Sequence, residues 1–271
     1  MDGSKAVLSQ QAEAHKVSAH LHVQFIRADE ASNRAVMADT DEASGAAAAE
    51  ARQATEAAAR DLDALRAILN DLGENDEMRL LDAFASRFAQ YRALEADILP
   101  LAVENTNIKA QRLSFGPAQD DVNAFRQSLD AAGRLAPRNN APGVDALVAR
   151  AVASVLEIQV LEARHIAESD DAAMTKMESA MKASEAGARK SLDSLAAQLP
   201  RAADQPLATA TAALDRFATA NTEIVALSRR NSNVRSLALS MGKKRTISAE
   251  CQDLLQSLED KLAAHHFSAT R

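Results

Sequence analysis

The 271-residue chain has no tryptophan, one tyrosine, seven phenylalanines, eight glycines, six prolines and a single cysteine, Cys251. One thiol allows no internal disulfide and no cysteine-based metal cluster. So few aromatic and β-branched side chains cannot face a packed sheet, which excludes the sheet-rich folds. The longest apolar runs, such as Ala46 to Ala49, fall far short of the roughly 18 to 20 residues that span a bilayer, and no secretory leader is visible. The 31 Lys and Arg against 38 Asp and Glu give a formal charge of -7. That balance, with no nucleic-acid motif, argues against nucleic acid as a partner. There is no glycine-rich phosphate loop, no His-Glu-x-x-His and no Gly-x-Ser-x-Gly, so the chain reads as non-enzymatic and without a cofactor.

What is present in quantity is alanine, 61 residues, and leucine, 29, among Glu, Gln, Arg and Lys. These are the strongest helix formers, and they predict an all-α protein with narrow, alanine-lined helix interfaces. Breakers cluster at Asn70 to Asp76, at Gly133 to Gly143 and at Pro200 to Pro206, leaving four segments of about 6–69, 77–132, 144–199 and 206–266. Each would be roughly 80 to 90 Å long if straight. Short connections favour antiparallel neighbours, so the expectation is one elongated domain over 1–271, a long up-down-up-down four-helix bundle. Phe84, Phe88, Tyr91 and Ile98 share one helical stripe, and Met174, Met177, Met181, Ala188, Leu192, Leu195 and Leu199 follow heptad-like steps. Both read as core seams rather than cofactor contacts. Apolar surface beyond what a thin bundle can cover predicts a parallel homodimer. Pro100 and Gly116-Pro117 should bend or break the second segment, with Gly242 at the matching level of the fourth.

The halves are related by an internal duplication of helical hairpins, about 6–132 and 144–266. Tyr91 to Gly116 aligns with Phe217 to Gly242 without a gap at a shift of 126, pairing Asn105, Asn107, Lys109, Ser114 and Gly116 with Asn231, Asn233, Arg235, Ser240 and Gly242. Ala38 to Ala43 matches Ala167 to Ala172 more weakly. Projected on an ideal helix, Asn105 falls near the aromatic stripe and Asn107 nearly opposite it. Asn105 and Asn231 are therefore expected as structural polar residues of the core, fixing register.

At Arg34 to Asp39 and Leu101 to Ala110, with Gly116 after them, the sequence resembles the four-helix-bundle ligand-binding domain of methyl-accepting chemotaxis proteins, the Tar-like sensor module. The resemblance implies a homodimeric, periplasmic domain of an inner-membrane protein, with membrane helices and a signalling region outside this chain. It implies further that a small-molecule ligand displaces the fourth helix. The segments are longer than is usual for that family. The opening Met1-Asp2-Gly3-Ser4 reads as a cloning remnant.

The ligand candidates are the cations around the duplicated level: Lys109, Arg112, Arg229, Arg230 and Arg235. Guanidinium forks suit carboxylates, and Arg229-Arg230 breaks the repeat symmetry by standing opposite Val103-Glu104. A small polar or anionic solute, such as a carboxylate, is the expected ligand. The rival reading is a structural or adaptor rod that contacts proteins and binds no small molecule. Glu162-x-x-His165 has the spacing of a di-metal carboxylate site but no counterpart in the first half, so no metal is expected. His15, His20, His22, His265 and His266 lie near the chain ends and read as solvated polar residues.

Overall fold

The computed structural model describes the backbone of residues 2–269 and the side chains of residues 5–264. Among the described residues 93% are helical and none lies in a strand. The elements are α1 (Asp2–Met37), α2 (Asp41–Leu72), α3 (Asn75–Glu104), α4 (Thr106–Leu113), a π-helical turn (Ser114–Ala118), α5 (Gln119–Gly133), α6 (Ala141–Ala167), α7 (Asp171–Gln198), a 3-10 turn (Arg201–Ala203), α8 (Asp204–Arg230), α9 (Ser232–Leu239), a second π-helical turn (Ser240–Lys244) and α10 (Arg245–Ala269).

Two of the four expected rods fold back on themselves. Segment 6–69 doubles back at Ala38–Thr40 and segment 144–199 at Glu168–Asp170, each becoming an antiparallel hairpin. Neither turn contains glycine or proline. The chain stops because Thr40 and Asp170 cap the helix that follows: Thr40 Oγ1 accepts the Ala43 N–H at 3.1 Å and Asp170 Oδ2 the Ala173 N–H at 2.7 Å. Asp41 and Glu42, or Asp171, then sit favourably at the positive end of the new helix. The expected turn at Asn70–Asp76 closes on Gly73, whose φ of 72° lets its N–H reach Asn70 O while Glu74 N–H reaches Leu69 O.

The chain divides into two compact units, Met1–Asn105 with Arg235–Arg271, and Thr106–Val234. In the first unit α1 packs on α2, α2 on α3, α3 on α10 and α10 on α1. Cross-links mark the directions: Arg66 with Asp82 between α2 and α3, Arg87 with Glu250 between α3 and α10, His22 with Glu259 between α1 and α10. The predicted aromatic stripe is its thick core, where Phe25 meets Phe84, Phe88 and Tyr91 at centroid distances of 5.8, 6.1 and 5.0 Å. Toward the hairpin turn the core thins to Ala31, Ala35, Ala48, Ala51 and Ala102 around Ile98. There Ser44 Oγ donates to both Ala35 O (3.1 Å) and Ala102 O (2.9 Å), a bridge that only close helices permit.

In the second unit α5 packs on α6 and α8, and α6 packs on α7 and α8. Phe125, Leu129, Val155, Ile158, Leu214 and Phe217 fill its centre. Of the predicted seam, Met174, Met177, Met181, Ala188, Leu192 and Leu195 are buried and Leu199 is half-buried. The π-helical turns occupy equivalent places in the repeat, Ser114–Ala118 at the expected Gly116-Pro117 break and Ser240–Lys244 around Gly242. An inserted residue of this kind rotates everything that follows on the helix.

Candidate functional site

The duplicated asparagine level is a matched pair of helix breaks. Asn105 and Asn231 both adopt the left-handed conformation, φ 50° and 54°, ending α3 and α8 one residue before α4 and α9 begin. Asparagine tolerates this region better than other non-glycine residues. Both are buried, as expected. Asn105 Nδ2 donates to Asp41 Oδ1 at 3.1 Å, and Asn231 Nδ2 donates to Glu168 O at 2.7 Å, so each break is tied to the hairpin turn of its own unit. Within the second unit the new helix starts cap each other. Thr106 N–H donates to Ser232 Oγ (3.1 Å) and Ser232 N–H to Thr106 Oγ1 (3.0 Å), while Asn107 and Asn233 exchange backbone N–H and side-chain Oδ1 at 3.1 Å each way.

Asn107 does not face outward as projected. It is 6% exposed, and its Nδ2 donates to Ile166 O at 2.7 Å and to Asn231 Oδ1 at 2.8 Å. The projection assumed an unbroken helix, and the left-handed residue at 105 resets the angular count for everything after it.

The five candidate cations do not form one cluster within a unit. Lys109, Arg112, Arg229 and Arg230 belong to the second unit and Arg235 to the first. Lys109 is half-buried, while Arg112, Arg230 and Arg235 are exposed. Arg229 is consumed by α7: Nε donates to Glu178 Oε1 (2.6 Å), Nη1 to Asp171 O and Oδ1 (3.2 Å each) and Nη2 to Thr175 Oγ1 (2.7 Å). That guanidinium holds the Glu178 carboxyl below its ordinary range. The symmetry-breaking arginine is thus a clamp between helices.

Glu162 and His165 are wholly buried. Ser114 Oγ donates to Glu162 Oε2 at 2.7 Å, the other carboxylate oxygen has no partner, and burial pushes the acid up to about 7. His165 Nδ1 lies 2.7 Å from Ser228 Oγ and Nε2 2.9 Å from Glu178 Oε1. Among the described residues no three His, Cys, Asp or Glu side chains converge to hold a metal. His15 is exposed; His20 pairs with Asp61 on α2 and His22 with Glu259 on α10, while His265 and His266 lie outside the described side chains.

The densest buried charge lies in the first unit. Lys244, 1% exposed, donates to Ser32 Oγ at 2.8 Å and Asn33 Oδ1 at 2.9 Å, with Asp29 at 3.2 Å and Glu95 at 3.6 Å. Ser32 Oγ donates in turn to Glu95 Oε1 at 2.7 Å. Glu95 is 5% exposed, its Oε2 has no partner, and burial raises its acid, opposed by Lys244 and Ser32. The second π-helical turn delivers Lys244 to the interior.

Behind Glu95 a cavity of about 260 Å³ opens between α2 and α3, lined also by Arg52, Thr55, Glu56, Arg92 and Pro100. Arg52 and Arg92 are exposed and have no ion-pair partner among the described residues; Arg92 lies 6.0 Å over the Phe88 ring. Pro100 lacks the N–H that would otherwise bind Ala96 O, and Ala96 lines the same cavity. Two guanidinium forks beside a buried carboxyl can seat a small molecule that carries an anionic group and a hydrogen-bond donor.

Sequence reasoning missed this site. Lys244 stands opposite Ala118 in the repeat, a symmetry break as plain as Arg229-Arg230, and Arg52 and Arg92 are separated by forty residues that only the α2–α3 turn brings together. No protein-family model, curated protein or solved structure matches the chain.

Proposed function

We propose that this chain is the sensory ligand-binding part of a chemoreceptor-type transmembrane signalling protein. Each unit is then an up-down-up-down four-helix bundle, the setting is periplasmic, and membrane helices and signalling region lie outside the chain. The module is non-enzymatic and works as a homodimer. The observation that carries the reading is the cavity between α2 and α3, where Arg52 and Arg92 present unpaired guanidinium groups beside the unpartnered Oε2 of Glu95. The ligand is a small carboxylate that also bears a hydroxyl or amino donor. Glu95 couples the cavity to Lys244, and so to α10. A bound donor that engages Glu95 changes the field on Lys244, which is the differential interaction a two-state displacement of that helix requires.

A thermal-shift screen of small organic and amino acids tests this. At a hundred times its Kd a ligand adds about 2.7 kcal/mol to native stability, a shift of several degrees. Arg92→Ala should lose the shift while keeping its unliganded melting temperature. If no anionic compound shifts the wild type, the adaptor reading takes its place.

A further inference from the structure

The exposed side of α6 carries an apolar stripe, with Asp145, Arg150, Glu157 and Arg164 exposed beside it. Ala146, Ala149, Ala153, Leu156, Val160 and Ala163 follow steps of three and four along one side of the helix. All six are exposed, Leu156 at 38% and Val160 at 62%. An exposed stripe of α1, by contrast, reads Lys16, His20, Val23, Arg27, Glu30 and Arg34, the charged pattern of a solvated helix. Nothing in the core of the second unit needs the α6 stripe, because that helix already buries Val144, Ala151, Val155, Ile158 and Ile166 on its other side.

We propose that this face docks against the same face of a second copy of the chain, with the two α6 helices antiparallel about a two-fold axis between Ala153 and Leu156. Three features select a second copy in this orientation. In antiparallel register Leu156 meets the partner's Ala153, Val160 meets the partner's Ala149, and Ala146 meets the partner's Ala163. Each large side chain therefore faces a small one, and no layer sets two large side chains against each other. In parallel register Leu156 would face Leu156 and Val160 face Val160, forcing the helices apart at mid-length and leaving gaps at the alanines. Charge selects the same arrangement. Arg150 and Glu157 flank the stripe on one side and oppose each other twice across the antiparallel two-fold axis. Neither has an ion-pair partner among the described residues; Glu157 accepts only Ser184 Oγ, at 2.8 Å. The stripe is about 27 Å long, and one helix pair of that length stays below the roughly 1,200 Å² of a stable interface, so the association is weak. The contact uses no residue of the α2–α3 cavity and forms with or without a ligand, and it sets the two copies antiparallel where the sequence predicts a parallel homodimer, so its test is separate from that of the sensory reading.

Sedimentation velocity of the whole chain from about 5 to 500 μM tests the proposal, and the expected result is a monomer–dimer equilibrium at tens to hundreds of micromolar. Leu156→Glu with Val160→Glu should remain monomeric throughout with an unchanged helical circular dichroism spectrum, because both positions are at the surface. Arg150→Glu should weaken the dimer about tenfold, and adding Glu157→Arg should restore it. For orientation, a mixture of Ala149→Cys and Val160→Cys chains should cross-link under mild oxidation while neither does so alone. A wild type that stays monomeric at the highest concentration, a double glutamate variant that dimerises equally well, or self-cross-linking of Ala149→Cys alone would each overturn the proposal.

Discussion

Glu162 is an acid that the fold holds at a cost, and replacing it should stabilise the protein in a pH-dependent way. Its carboxyl is wholly buried, one oxygen accepts a single hydrogen bond from Ser114 and the other has no partner, and burial moves it from an ordinary 4.5 to about 7. The native state therefore keeps a proton that the unfolded chain has already released, and stability falls as pH rises through that window. The fall begins near pH 4.5 and is complete just above 7. At about 1.4 kcal/mol per pH unit it amounts to about 3 kcal/mol. Glu162→Gln keeps the size and the acceptor for Ser114 but never ionises. Urea unfolding of wild type and variant at pH 4 and pH 8 isolates the effect, because other carboxylates cancel in the difference. The variant should be nearly equal to wild type at pH 4 and about 3 kcal/mol more stable at pH 8. A stability difference that does not change with pH would refute the reasoning.

Lys244→Met should destabilise the first unit by about 3 to 5 kcal/mol, since it leaves the buried Glu95 and the half-buried Asp29 without a cation, and chemical denaturation should show partial rescue by adding Glu95→Gln. Thr106→Ala and Ser232→Ala should each cost about 1 kcal/mol, and a double-mutant cycle should show strong non-additivity because each hydroxyl caps the other's helix. Asn105→Gly should be better tolerated than Asn105→Ala, which adds about 1 to 2 kcal/mol of left-handed strain; equal melting temperatures would contradict the assigned backbone conformation.

The helical class, the turns at Gly73 and around Gly133 to Gly143, and the aromatic and methionine seams were legible in the sequence because each rests on a local signal: propensity, a breaker or a period. The hairpin turns at Ala38–Thr40 and Glu168–Asp170 were visible as a repeat but not as turns. Capping by Thr40 and Asp170 stops a helix without any glycine or proline, and a scan for breakers passes over it. Asn107 was misplaced for a related reason, since the left-handed Asn105 is invisible to a uniform angular projection. The arginine pair at 229–230 was correctly singled out as a break in the repeat, yet the acceptors on α7 that engage Arg229 come from a helix whose register only the tertiary fold sets. Lys244 was hidden for the converse reason. A lysine in a charged run looks solvated, and it takes the π-helical turn at Ser240–Lys244 to carry it inside.

The measurement that bears most directly on the sensory reading is calorimetric titration of the strongest-shifting carboxylate into wild type, Arg52→Ala and Arg92→Ala. Loss of a guanidinium that pairs with a carboxylate removes about 1.5 to 3 kcal/mol, so each variant should bind at least tenfold more weakly than wild type, with unfolding of the free proteins unchanged. Equal affinity across the three proteins would place the ligand elsewhere and contradict the account of the α2–α3 cavity.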